Sequence, residues 1–126
     1  MLEKLGSNSL VVIKDENIIF ESDEHRLIPV IKCINEHKEA MRDSVIIDKR
    51  IGLAAAKLFV FAKVKEIYTL IASKSAFDYL IGRDIKIEAE KLVDNLLNDS
   101  QSDICPMEKL ALELSEEELF EKLNKG

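Results

Sequence analysis

This chain of 126 residues is poor in thiols, with only Cys33 and Cys105, and it has no C-x-x-C pair. No apolar run approaches the roughly 20 residues that cross a bilayer, so a membrane span is not expected. No run of Lys and Arg exceeds two residues, and the formal net charge is −6. Such a chain has no general attraction for phosphate backbones, which argues against nucleic acid or a polybasic membrane contact. There is no internal repeat, low-complexity tract or obvious linker. The opening Met1-Leu2-Glu3-Lys4-Leu5 carries an acid and lacks the apolar core of a signal peptide. The expectation is a soluble cytoplasmic protein in which both cysteines stay as thiols.

What is present suits one domain. Hydrophobic residues make up 47% and charged residues 33%, enough for a core with a solvated surface. After a polar lead over residues 1–8, Leu10-Val11-Val12-Ile13 is a β-branched run. Lys14 to Asn17 reads as a turn, and Ile18-Ile19-Phe20 resumes the apolar pattern. Strands this close must pair antiparallel, because a parallel return needs a longer crossover. Leu27, Val30, Ile31 and Ile34 recur at helical spacing, with Pro29 tolerated in the first turn.

Ser44 to Ile47 reads as a third strand. Asp48-Lys49-Arg50 reads as a tight charged turn, and Gly52 to Ala62 as a helix apolar nearly all round. Glu66 to Ile71 is a fourth strand, and Ser73 or Ser75 can cap the next helix, with Gly82 at its end. Ile85 to Ala89 alternates as a half-exposed strand. Leu92, Val93, Leu96 and Leu97 suggest a short helix, and residues 98–103 a polar loop. A helix opens at Cys105-Pro106. Ser115 to Glu118 is a capping-box pattern ahead of Leu119, Phe120 and Leu123. The order β-β-α-β-α-β-α-β, then helices, implies an α/β domain. Its mixed sheet has an N-terminal antiparallel hairpin and helices on its faces, a three-layer α-β-α arrangement.

Three stretches carry a family resemblance. They are Asp48-Lys49-x-x-Gly52-x-Ala54-Ala55-Ala56, the later Asp103-x-Cys105-Pro106-Met107-Glu108, and the hairpin from Leu10 to Ser22. Together they resemble domain-of-unknown-function family 1893 (DUF1893) over roughly residues 9–114. The segments 1–8 and 115–126 then stand as a lead and a C-terminal amphipathic helix. The resemblance implies a cytidine-deaminase-like fold and no assigned reaction.

Zinc deamination needs three protein ligands and a proton-shuttling Glu, usually as H-x-E followed by P-C-x-x-C. His37-Lys38-Glu39 matches the first pattern, but near the end of a helix rather than its start. The helix opening at Gly52 carries no thiol, and Cys105 precedes its proline rather than following it. Cys33 and His37 share one helix face yet lack a third ligand. His25-Arg26 lies near where a deaminase would place its histidine, without the following Glu. No metal or cofactor is therefore expected.

The candidate ligand site is Asp48, Lys49, Arg50 and Gly52. A helix N-terminus beyond a strand can seat an anion or a nucleotide-like molecule there, with the two cations assisting. The bland alternative is a helix cap with solvated cations. Cys105 and Glu108 are candidate catalytic residues of a zinc-free enzyme, since a thiol at a helix start can be reactive. A third reading is a homodimeric structural protein that pairs through the edge of Leu119, Phe120 and Leu123. The leading expectation is a non-catalytic small-ligand-binding domain on a deaminase-like frame.

Overall fold

The computed structural model describes residues 1–24, 27–94 and 106–125, with the side chains of 106–108 and 125 excepted. A 3-10 turn, η1 (Leu2–Lys4), precedes β1 (Leu10–Lys14), β2 (Asn17–Ser22), α1 (Ile28–Met41) and β3 (Val45–Ile51). Then come α2 (Leu53–Phe61), β4 (Glu66–Ser73), α3 (Lys74–Ile81), β5 (Lys86–Val93), α4 (Pro106–Glu113) and α5 (Glu116–Lys125). The five strands form one sheet in the order β2-β1-β3-β4-β5. β1 is antiparallel to β2 and β3, while β3, β4 and β5 run parallel. The mixed α/β sheet and its opening hairpin are those expected from the sequence. The hairpin turns on Asp15 and Glu16, both at positive φ (50° and 69°), as a tight two-residue turn requires.

Alternation along the strands divides the core. Leu10, Val12, Ile46 and Ile67 pack with α1, α2, α3, α4 and α5 in the main cluster. Val11, Ile13 and Ile47 face the other way, where Leu2 and Leu5 around η1 cover them. Helical structure thus lies on both faces of the sheet, very unequally. Two successive βαβ units step in one direction, so α2 and α3 fall on the same face.

Several boundaries differ from the sequence reading, and each difference has a physical cause. β3 does not end at Ile47. It continues through Asp48, Lys49 and Arg50 to Ile51, because β4 supplies ladder partners for Asp48, Arg50 and Ile51. The charged turn is therefore strand, and α2 follows after Gly52 alone. β4 runs on to Ser73, and Leu92 and Val93 belong to β5 rather than a helix, held by Ala72 and Ser73. Leu96, Leu97, the polar stretch 98–103, Cys105 and His25-Arg26 lie outside the described residues. Ser73 is the α3 cap, its hydroxyl accepting from Ala76 N–H at 3.2 Å. At the far end Gly82 keeps a right-handed conformation, and Asp84 (φ 63°) makes the left-handed turn.

The capping box forms as read. Ser115 N–H donates to Glu118 Oε1 (3.0 Å) and Glu118 N–H to Ser115 Oγ (3.2 Å). The apolar edge of α5 docks on its own domain. Leu119 is fully buried, and Phe120 stacks on Phe61 with ring centroids 5.1 Å apart. A dimer would have to use another surface.

One buried polar atom among the described residues has no partner, the Ser44 hydroxyl at the start of β3. An unmade bond in the interior costs more than an absent hydroxyl. Ser44→Ala is expected to leave stability unchanged or raise it by up to about 1 kcal/mol in urea unfolding. A loss of more than about 1 kcal/mol would mean that the hydroxyl has a partner, such as internal water.

Candidate functional site

One register row crosses all five strands, at the end of β2 and through the middle of β3, β4 and β5. It pairs Ser22 with Leu10, Leu10 with Asp48, Asp48 with Thr69, and Thr69 with Ala89. Leu10 packs in the helix-side core, so its direct partner Asp48 shares that face. Asp48 and Thr69 thus stand side by side on parallel strands, both buried. The next row breaks the ladder, for Lys49, Leu70 and Glu90 have no register partners between β3, β4 and β5. Alternation slips there. Ile47 and Leu70 belong to the far-side cluster, yet Ile51 and Ala72 return to the helix side.

The Asp48 side chain stabilises this irregularity. Its Oδ1 accepts from Arg50 N–H at 3.2 Å, a local bond of the kind that replaces a ladder bond. Thr69 Oγ1 does the equivalent on β4, donating to Ile71 O at 3.1 Å. The Ser9 carbonyl accepts from Lys49 N–H at 3.0 Å, and the Ser9 hydroxyl donates to Ser22 O at 3.1 Å and to Glu24 O. The chain leading toward α1 is thereby tied to the exit of β3. Gly52, buried at the α2 N-cap in an extended conformation (φ −103°, ψ −176°), gives the helix no side-chain cap. Ala54, Ala55 and Ala56 are buried behind it and keep the helix close to the sheet.

Burial pushes the Asp48 carboxyl up to about 7, against the smaller downward pull of the Arg50 and Lys49 backbone N–H groups. Among the described residues no cation offsets that burial. The Lys49 and Arg50 side chains are exposed. They stand on extended strand, not in a turn wrapped around an anion. Of the sequence-read residues, Asp48 is buried in the middle of β3, Lys49 and Arg50 are exposed after it, and Gly52 lies just beyond the strand end at the start of α2. Glu108 lies in α4, which packs against α2, but its side chain and all of Cys105 are outside the described residues. Thr69 was not singled out from the sequence. A threonine at a core-facing position of the Ile67–Ile71 run was the available signal.

Cys33 and His37 do not form a site. The Cys33 thiol is fully buried, and desolvation pushes it up to about 12, so it stays protonated. His37 sits at a non-helical kink in α1 (φ −136°), edge-on to Phe20 at 5.9 Å.

The raised Asp48 value has a signed consequence for stability. The folded form holds a proton that the unfolded chain has released above its ordinary value of 3.8. Stability therefore falls as pH rises from there to about 7, by up to about 4 kcal/mol at 1.36 kcal/mol per unit, and then levels off. Asp48→Asn keeps an oxygen for Arg50 N–H. Above about pH 7 it is expected to be more stable than the wild type, with the gap closing toward about pH 4. Denaturant titrations at both ends check this, and a gap independent of pH would contradict it.

Comparison with known proteins places this geometry. A family model described as Domain of unknown function (DUF1893) matches residues 1–125, so the match takes in η1 and α5 as well as the sheet. The crystal structure of the DUF1893 protein TM1506 from Thermotoga maritima is similar, with a TM-score of 0.86 at 26% identity. That alignment covers 97% of this chain and 82% of TM1506. RibD from Acinetobacter baumannii shares the fold alone, at a TM-score of 0.51 and 14% identity. The likeness spans 91% of this chain and 32% of RibD, and it fits a deaminase-like fold. No curated protein matches the chain. The chain belongs to the DUF1893 family.

Proposed function

We propose that this domain binds a small anionic or nucleotide-like molecule at the exit of β3, without metal chemistry. The buried Asp48 carboxyl carries the reading. A group held near neutral titration donates or accepts a hydrogen bond with little cost, which suits the edge of a heterocycle bearing both kinds of partner. Thr69 lies beside it, and Gly52 opens the following helix. Lys49 and Arg50 at the rim supply positive charge for a phosphate or carboxylate. The position of Gly52 and the start of α2 supports the same reading, since they follow the carboxyl end of β3, beyond which ligands of open α/β sheets sit.

The four nucleoside 5′-monophosphates are the probes, with inorganic phosphate and chloride as controls, in a thermal-unfolding series. At a hundredfold excess over Kd, one-site binding adds about 2.7 kcal/mol, a shift of several degrees for a domain of this size. At least one nucleotide is expected to raise Tm above both controls. Arg50→Ala and Asp48→Asn should each reduce that rise. A panel with no stabiliser, or a rise unchanged in both variants, would refute the proposal.

A further inference from the structure

A second cluster of polar side chains lies away from the strand exits, in an open cavity of about 380 Å³ between α2, α3 and the start of α5. Its walls are Lys57, Tyr79, Arg83, Ser115, Glu116 and Glu117. Tyr79 lies in the last turn of α3 and Arg83 in the turn just after the Gly82 cap, four residues on. The Arg83 guanidinium stacks 4.6 Å from the Tyr79 ring centre, and its Nη2 donates to the Tyr79 hydroxyl at 3.1 Å. That commits the phenol proton outward, and it is donated to Glu116 Oε2. Arg83 Nε approaches the same oxygen at 3.7 Å. Two donors from the end of α3 and the turn after it thus converge on one carboxylate oxygen, brought by a residue 37 positions from Tyr79.

We propose that Tyr79 and Arg83 form a receptor for a small oxyanion, a carboxylate or a phosphate, which Glu116 fills in cis. Three observations separate this from a clasp that merely holds α5. First, α5 is anchored without Glu116, by buried Leu119, by Phe120 on Phe61, and by a capping box that uses Ser115 and Glu118. Second, the Tyr79 and Arg83 donors bond to each other, so their orientation does not depend on the carboxylate. Third, both Tyr79 and Arg83 hold the same Glu116 oxygen, and the seat opens on a cavity larger than one carboxylate. Lys57 makes the wall more positive, although its ammonium is directed at Ala111 O and Leu114 O, both at 2.6 Å. The inference does not rest on the β3 site, which lies elsewhere on the sheet.

Chemical rescue of the deleted carboxylate tests it. Acetate and inorganic phosphate are titrated separately into Glu116→Ala at ionic strength matched with chloride, following the Tyr79 ring and Lys57 backbone amide resonances by NMR. Saturable, millimolar binding of either oxyanion is expected, with the wild type at least about tenfold weaker, equivalent to about 1.4 kcal/mol. Adding Arg83→Ala to Glu116→Ala should abolish it. Which oxyanion binds more tightly identifies the source. Glu116→Gln, which retains an acceptor for the Tyr79 hydroxyl, is the second variant and should show the same rescue more weakly. Absence of saturable binding in both variants would overturn the receptor. So would equal binding in the wild type, or persistence in the double variant.

Discussion

The burial of α2 is the constraint on which the rest of this molecule depends. The helix is apolar nearly all round, with Leu53, Ala54, Ala55, Ala56, Leu58 and Phe59 all buried. It lies against β3 on one side and against α3, α4 and α5 on the others. Such a helix is stable only when every side is covered, so the C-terminal pair α4–α5 completes the core rather than decorating it. Lys57 is the one charged residue in α2, and its ammonium cannot be left bare there. It bonds two carbonyls at the end of α4, where the helix dipole is negative. Polar and apolar contacts then agree on one position for α4.

Close approach of α2 has a second consequence. The helix follows β3 after a single residue, Gly52, so the end of the strand is pulled under it. Asp48, four residues before Gly52, faces the helix side with its partner Leu10 and is buried there. Its cost is met in part by the Arg50 N–H, which turns to the carboxylate where the β3–β4 ladder skips Lys49, while the Lys49 N–H is given to the Ser9 carbonyl. The same slip lets Ile51 and Ala72 return to the helix side. A local fault in the ladder, a buried carboxyl and a tightly packed helix start are one arrangement seen from three sides.

Much of this was legible in the sequence. Element order followed from β-branched runs alternating with helical periodicity, and the capping box at Ser115 followed from spacing alone. The cap at Ser73 was visible as a residue type, with Ser75 an equal candidate, whereas the start of α2 is capped at Gly52 and not by Asp48. The ends of β3, β4 and β5 were not. Asp48-Lys49-Arg50 is polar by any local scale, and only partners on neighbouring strands keep it extended. Leu92 and Val93 are equally ambiguous, since a short apolar pair suits helix or strand. At the candidate site, Asp48 and Gly52 could be picked out by position beyond a strand. Thr69 could not, because its place beside Asp48 is a matter of register between strands 21 positions apart. The Tyr79–Arg83–Glu116 cluster joins residues from distant segments, and no spacing rule announces it.

Titration of Asp48 itself decides whether the carboxyl in β3 is desolvated. With 13C-labelled aspartate, the Asp48 side-chain carbon can be followed by NMR across the acidic and neutral range. A midpoint of about 7 is expected, far above the ordinary carboxylate value of 3.8. A midpoint at the ordinary value would show a carboxyl in contact with water, and the site built on its burial would not stand.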